Sequence, residues 1–351
     1  MRLEEFYKSV DDSKVNVFFI EEPESHMHPQ MQNVFIRFLT KYYTEKKLQG
    51  LITTHSNEIA RSVGLNSLRV IRQTEKSKSE LFNLSKFRKS IENKKVKNVD
   101  KESEFLLQNF FDWFFEIGYS ELIFADKVIL YEGDTERLYI RKLLGMTEFA
   151  SLRDNYIAFI QVGGAYAHNY LEILTMLKMK SLIITDLDYN KDATTFEIAK
   201  NSTSTNATIN HCYRLIYPEK GAAYLPSIKE IYEMQTEKGT VICNDLICVA
   251  YQDENSTART LEEAMLNKFL SKNVFDKTKR SEWKSIRKNN NLTFTIPNNR
   301  NDETYSEFSI RQIVAASSNN KTDFMYSVVL SGNEEKMLPD YIRKGLLWLA
   351  K

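Results

Sequence analysis

The stretch "KVILYEGDTERLYIRKLL", residues 127–144, decides the fold. Its apolar opening, KVILY, reads as a buried strand, and the acid Glu132 follows at once. Gly133 then permits a tight turn, and DTERLYIRKLL reads as a helix whose Glu136 shares a face with Glu132. Working outward, "YIAFIQVGG" (156–164) is a second strand, "AHNYLEILTMLK" (167–178) a helix, and "SLIITDLD" (181–188) a third strand. Strands alternating with helices imply an α/β fold with a parallel sheet. Further on, "DLICVAY" (245–251) reads as another strand and "ARTLEEAMLNKFL" (258–270) as a helix, while residues 189–240 are polar and weakly periodic, as an insertion would be.

The chemistry sits where these strands end. Asp186 and Asp188, two apart at a strand end, can point the same way, and adjacent parallel strands would bring them to Glu132 and Glu136. Open α/β sheets build their sites at that edge. Four carboxylates held together repel one another, so a cation is their natural partner, and all-oxygen donors favour Mg²⁺ or Mn²⁺ over zinc. Such a two-metal site suits in-line attack on a phosphodiester. Either motif by itself could equally be surface acids near turns; the two together, each after an apolar run, favour the site.

A second acidic cluster lies upstream in "VNVFFIEEPESHMHPQ", residues 15–30. Carboxylates directly after a buried strand suit a nucleoside-triphosphate hydrolase: Glu21 would serve the metal, Glu22 the attacking water. His55 closes the neighbouring strand "GLITTHS" (50–56), where an imidazole can sense the γ-phosphate. The bland alternative is that Glu21 and Glu22 complement a helix dipole. No GxxxxGK[ST] phosphate loop occurs in the 351 residues, so ATP affinity should be poor without a partner that supplies one.

"FFIEEPESHMHPQMQ" followed by "LITTHS" resembles the Walker B, D-loop and switch-histidine region of ABC-type ATPases, in the branch found in the OLD (overcoming lysogenization defect) family. "SELIFADKVILYEGDTERLYIRKLL" and "QVGGAYAHNY" resemble the Toprim domain of that same family. The resemblance implies an α/β architecture: a partial ABC-type ATPase lobe over 1–85, a helical linker over 86–122, and a Toprim nuclease domain over 123–351 with a helical insertion at about 190–245. It implies a metal-dependent DNA endonuclease acting in defence against phage or mobile DNA. By resemblance, "STARTLEEAM" carries one more metal ligand, Glu262 with Glu263 the alternative, and "KTDFMYSVV" carries Lys321, which would neutralise charge in the transition state. The implied ligand set is therefore Glu132, Glu136, Asp186, Asp188 and Glu262. The family also implies self-association through the ATPase region. With no phosphate loop, the chain reads as N-terminally truncated, and ATP hydrolysis by it alone is not expected. Two other readings stay open: a nuclease-silent regulatory or DNA-binding subunit whose partner carries the missing ATPase half, and primase- or topoisomerase-like Toprim activity.

Composition excludes several classes. At 42% hydrophobic and 27% charged, the chain is that of a globular protein, and its net charge of +1 supplies no global field toward nucleic acid. Cys212, Cys243 and Cys248 form no CxxC; with one cysteine left over from any disulfide, they suggest a reducing cytoplasm, and beside His211 they match no zinc spacing. No apolar run approaches a membrane span. The lysine-rich stretch 85–104 reads as a solvated linker, with contact to DNA phosphates the sharper alternative. His168 reads as a helix-start residue, with substrate contact the alternative.

Overall fold

The computed structural model describes residues 17–46, 48–87, 89, 119–163, 166–235, 240–255, 257–298 and 307–351. The chain divides after Phe124 into two compact units. Most of the lysine-rich stretch and of the helical linker expected over 86–122 lies outside the described residues.

In the first unit, β1 (Val17–Glu21) and β2 (Gln49–Thr53) pair in parallel, Val17 opposite Gln49 and Glu21 opposite Thr53. Between them runs α1 (Pro29–Glu45), started by a proline that needs no donor at the first position and by the His28 ring, which accepts from Gln30 N. Its buried stripe is Ile36, Leu39 and Tyr43, with Tyr43 stacked on Phe18 at 3.8 Å between ring centres. Val34 and Phe38, at helical spacing in the sequence, instead face outward. Ser56 caps α2 (Asn57–Val63) by accepting from Ile59 N. An antiparallel hairpin follows, β3 (Arg69–Glu75) with β4 (Lys78–Asn83).

The second unit is built on a five-stranded sheet in the order β6-β5-β7-β9-β8. Its strands are β5 (Lys127–Tyr131), β6 (Ile157–Gln161), β7 (Lys180–Ile184), β8 (Thr240–Asn244) and β9 (Ile247–Ala250). The β6, β5, β7 and β9 pairings are parallel and β8 is antiparallel at the edge, where the sequence reading had placed no strand. β5 and β7 are apolar almost throughout, as strands covered on both faces must be. Helix α3 (Asp134–Leu143) follows β5, and the expected helix over 167–178 is shorter, a 3₁₀ turn leading into α4 (Leu171–Met176).

The polar insertion proves helical: α5 (Phe196–Asn201), α6 (Ala207–Ile216) and α7 (Ile228–Glu233), capped by Thr195, Asn206 and Ser227. Short helices rich in capping residues give little periodicity, which is why composition alone read as an insertion. Then come α8 (Leu261–Leu270), β10 (Lys277–Lys279), α9 (Arg280–Asn289), β11 (Glu307–Ser309), α10 (Ile310–Ala316), α11 (Lys321–Leu330) and α12 (Asp340–Ala350). One core joins Ile129, Tyr139, Leu182, Met265, Trp283, Met325 and Leu346, so the helices after the sheet are clamped to it. Lys127 Nζ donates to Leu349 O at 2.6 Å, closing the C-terminal end of α12. Among the described residues no helix is long and apolar enough to cross a membrane.

Candidate active site

The register Leu130 opposite Ile183 makes β5 and β7 end side by side, so Glu132 emerges next to Thr185 and Asp186. Glu132 Oε1 accepts from the Thr185 hydroxyl, from Asp186 N at 3.2 Å and from Asn206 Nδ2 at 3.4 Å. Burial raises the Glu132 carboxyl above the usual range; those three donors oppose it, and Asp188 adds to it.

Glu136 is the third residue of α3. Its Oε2 reaches back to accept from Gly133 N at 3.0 Å and from the Thr135 hydroxyl at 3.2 Å. Gly133 has an extended backbone (φ −139°) rather than the glycine-dependent turn expected, and a Cβ there would stand 3.0 Å from that oxygen, a tight contact from which the end of the Glu136 side chain would have to shift slightly. Burial, with the charges of Glu262 and Glu132 behind it, pushes Glu136 up to about 7.

Asp186 sits at the centre of the cluster, half-buried. Burial first, then the charges of Glu132, Glu136, Glu262 and Asp188, hold its carboxyl far above the ordinary aspartate range. Its Oδ1 accepts from Gln252 Nε2 at 2.7 Å. Asp188 requires a correction to the alternation argument: β7 stops at Ile184, and Asp188 sits in the left-handed region at φ +47°. Its direction comes from that turn and from Arg259, whose guanidinium meets Asp188 Oδ1 at 3.2 Å. Burial raises Asp188, against Arg259 and Lys321.

Glu262 and Glu263 open α8 behind the Thr260 cap, both almost fully buried, but they face different partners. Glu262 Oε2 pairs with Lys321 Nζ at 3.2 Å. Glu263 is engaged elsewhere: it takes Arg311 through both oxygens at 3.0 Å and accepts from Arg259 N at 2.7 Å. Burial works against the Lys321 ammonium, yet Glu262, Asp186 and Glu136 outweigh it and raise its pKa. Five carboxylates and one lysine thus form a single electrostatic cluster.

Among the described residues, no group of three His, Cys, Asp or Glu side chains is close enough to hold a metal ion as it stands. The donors are drawn instead into the hydrogen bonds and ion pairs just described. In character they suit a hard divalent cation: all are carboxylate oxygens, and burial forces several toward their neutral form for want of positive charge. Thr185, Asn206, Gln252 and Arg259 also touch the acids, and the sequence reading missed them. Asn206 carried a helix-cap signal, but nothing in the spacing connects it, or Gln252 66 residues beyond Asp186, to the acidic loop.

Elsewhere, Glu22 Oε1 and His55 Nε2 stand 3.3 Å apart at the exits of β1 and β2, with Glu22 at φ +41°. Glu21 ends β1, exposed. Glu24 Oε1 accepts from the Thr54 hydroxyl at 2.6 Å and from His55 N at 2.9 Å, tying the two exits together. His168 stacks on His211 at 5.4 Å and its backbone N–H donates to the Thr208 hydroxyl, so it packs against α6. Cys212 is buried with Cys243 Sγ at 2.9 Å from its sulfur.

The chain is similar to several known proteins. A family model described as overcoming lysogenization defect protein-like, TOPRIM domain, matches residues 123–188, and an AAA ATPase domain model matches residues 1–60. Endonuclease GajA from Bacillus cereus (strain HuB5-5) is 28% identical over 99% of this chain and 50% of its own length. An OLD nuclease from Thermus scotoductus is 29% identical over 38% of this chain and 24% of its own length. The chain thus spans half or less of the curated relatives it matches. The solved C-terminal region of the Burkholderia pseudomallei OLD protein aligns at 18% identity over 65% of this chain and 98% of that one, with a TM-score of 0.35, too low to build on.

Proposed function

Since this chain belongs to the OLD family, we propose that it is a metal-dependent DNA endonuclease that hydrolyses phosphodiester bonds at a Toprim site, in defence against phage or mobile DNA. The observation that carries this reading is the gathering of Glu132, Glu136, Asp186, Asp188 and Glu262 into one half-buried cluster beside Lys321. These five carboxylates would hold Mg²⁺ or Mn²⁺. A divalent ion there would supply an activated water at neutral pH and stabilise the leaving oxygen.

The chain's own groups supply the rest. Lys321 is already attracted to the cluster, so its ammonium is available to offset charge that develops on a scissile phosphate. Arg259 holds Asp188, and Glu263 is reserved for Arg311, which favours Glu262 as the fifth ligand.

In the same reading the domains run 1–85, 86–122 and 123–351, and the protein acts in the cytoplasm. Glu21, Glu22 and His55 would serve ATP where a partner contributes the phosphate loop that these 351 residues lack. The Glu22–His55 contact supports such a role.

The test is cleavage of supercoiled plasmid with Mg²⁺ or Mn²⁺ by the wild type, Glu136→Ala and Asp186→Ala. Nicking or linearisation by the wild type, reduced at least 100-fold in both variants, is expected. Cleavage that survives both variants would overturn the site. Metal binding without any cleavage would favour the regulatory-subunit reading instead.

A further inference from the structure

The acidic loop Asp186–Leu187–Asp188 belongs to no strand or helix, and one of its residues has a left-handed backbone. Its three carbonyls are nevertheless all taken by three consecutive residues of the insertion. Asn206 Nδ2 donates to Asp186 O at 2.8 Å, Ser204 Oγ to Leu187 O at 2.6 Å, and Thr205 to Asp188 O through both its N–H (3.0 Å) and its hydroxyl (2.9 Å). From the other side, Gln252 accepts from Leu187 N at 2.7 Å while donating to Asp186 Oδ1.

We propose that Ser204–Thr205–Asn206 is a strap that positions the acidic loop for metal binding, with Asn206 the positioning residue that ties Asp186 to Glu132. The proposal rests on the metal-site reading above. Asn206 is fully buried and its amide does two jobs. Its Oδ1 accepts from Ile209 N at 3.1 Å and caps α6. Its Nδ2 forks among the Thr185 hydroxyl (2.6 Å), Asp186 O and Glu132 Oε1. The cap needs only an acceptor, which serine or aspartate also provides. The fork needs amide hydrogens, which neither provides, and aspartate would set a further negative charge against Glu132. A side chain of this reach with both an acceptor and a two-hydrogen donor is asparagine alone.

Partners that orient metal-binding side chains typically cost 10–100-fold in metal affinity when lost. The experiment is calorimetric titration of the full chain with Mn²⁺, beside thermal melting, for the wild type, Glu136→Ala, Asn206→Ser, Asn206→Asp, Ser204→Ala and Thr195→Ala. Thr195 caps the neighbouring α5 and touches none of the acids, so its variant should bind as the wild type does. Asn206→Ser keeps the cap and should bind Mn²⁺ about 10-fold more weakly or worse, and Asn206→Asp also more weakly than the wild type. Ser204→Ala should bind more weakly as well and decides the matter should the Asn206 variants not fold. Wild-type Mn²⁺ affinity in Asn206→Ser and Ser204→Ala, with Glu136→Ala impaired, would overturn the strap and leave the metal site standing. No Mn²⁺ binding by the wild type would overturn both.

Discussion

Glu262 and Glu263 are adjacent in the chain, equally buried, and opposite in role. Glu263 forms a two-oxygen ion pair with Arg311, their side chains 5% and 13% exposed, and Arg311 also donates to the Tyr189 hydroxyl and the Ala193 carbonyl. Removing one partner of such a pair strands the other charge in the interior, at a cost of about 3–5 kcal/mol. Glu263→Ala should therefore lower the urea midpoint sharply. Glu262→Ala leaves a lysine whose side chain is 41% exposed and can reach solvent, so it should unfold near the wild-type midpoint while losing Mn²⁺ binding. Equal stability loss in the two would contradict the division of labour. The sequence placed both glutamates at the head of one helix and could go no further, because one residue of helix rotates a side chain by about 100°. Which neighbour each then meets is set by residues 48 and 59 positions away, Arg311 and Lys321.

At the scale of elements, α12 lies so close to the sheet that Gly345 has no room for a side chain. A Cβ there would meet Leu182 Cδ1 at 2.8 Å and Ala250 Cβ at 3.2 Å, both inside the core. Gly345→Val should destabilise by about 1–3 kcal/mol through overpacking, despite removing a helix-weakening glycine; a midpoint at or above wild type would refute the close approach. Helix α6 makes a different prediction. Burial, with His168 and Arg214 nearby, pushes His211 down to about 4 from an ordinary 6.5. Its folded form releases a proton that its unfolded form keeps, so its contribution is intact above pH 6.5 and lost progressively as pH falls toward 4. The full shift would be about 3 kcal/mol, but the ring is only half-buried, so roughly 1–2 kcal/mol is expected. Because the carboxylate cluster titrates too, the readout is the difference between wild type and His211→Gln. That difference should widen in favour of the variant from pH 7 to pH 4.5, and a pH-independent difference would refute it. The parallel strands that carry the site were legible from apolar runs ending in acids, since burial on both faces leaves an unbroken hydrophobic signature. The short capped helices and the edge strand β8 were not, since caps and edges mix polar and apolar residues without a period.

Over the whole molecule, apolar surface is distributed unevenly. In the second unit β5, β7 and β9 are covered. In the first unit, Val17, Phe19 and Leu51 stand exposed on the paired strands β1 and β2, Phe19 at 78%, while Met31, Val34 and Phe38 stand exposed on α1. With Ile71 and Leu81 on the β3–β4 hairpin, eight large apolar side chains stand exposed on this one small unit, more than scattered exposure accounts for, and exposed apolar surface of this extent marks association sites. β1 and β2 are also the whole of their sheet among the described residues, so each has a strand edge without a neighbour there. Both features lead to the same expectation, that this unit mediates self-association or docks a partner ATPase half. Sedimentation of the wild type should therefore show concentration-dependent dimers or larger species, and Phe19→Lys with Phe38→Ser should raise the dissociation constant at least about 10-fold, roughly 1.4 kcal/mol. Mn²⁺ affinity should be unchanged in that double variant, because the acidic cluster is assembled wholly from residues of the second unit. A wild type that sediments as a monomer at every concentration would limit these apolar residues to a partner of different sequence. A double variant that associates as strongly as the wild type would remove Phe19 and Phe38 from assembly altogether.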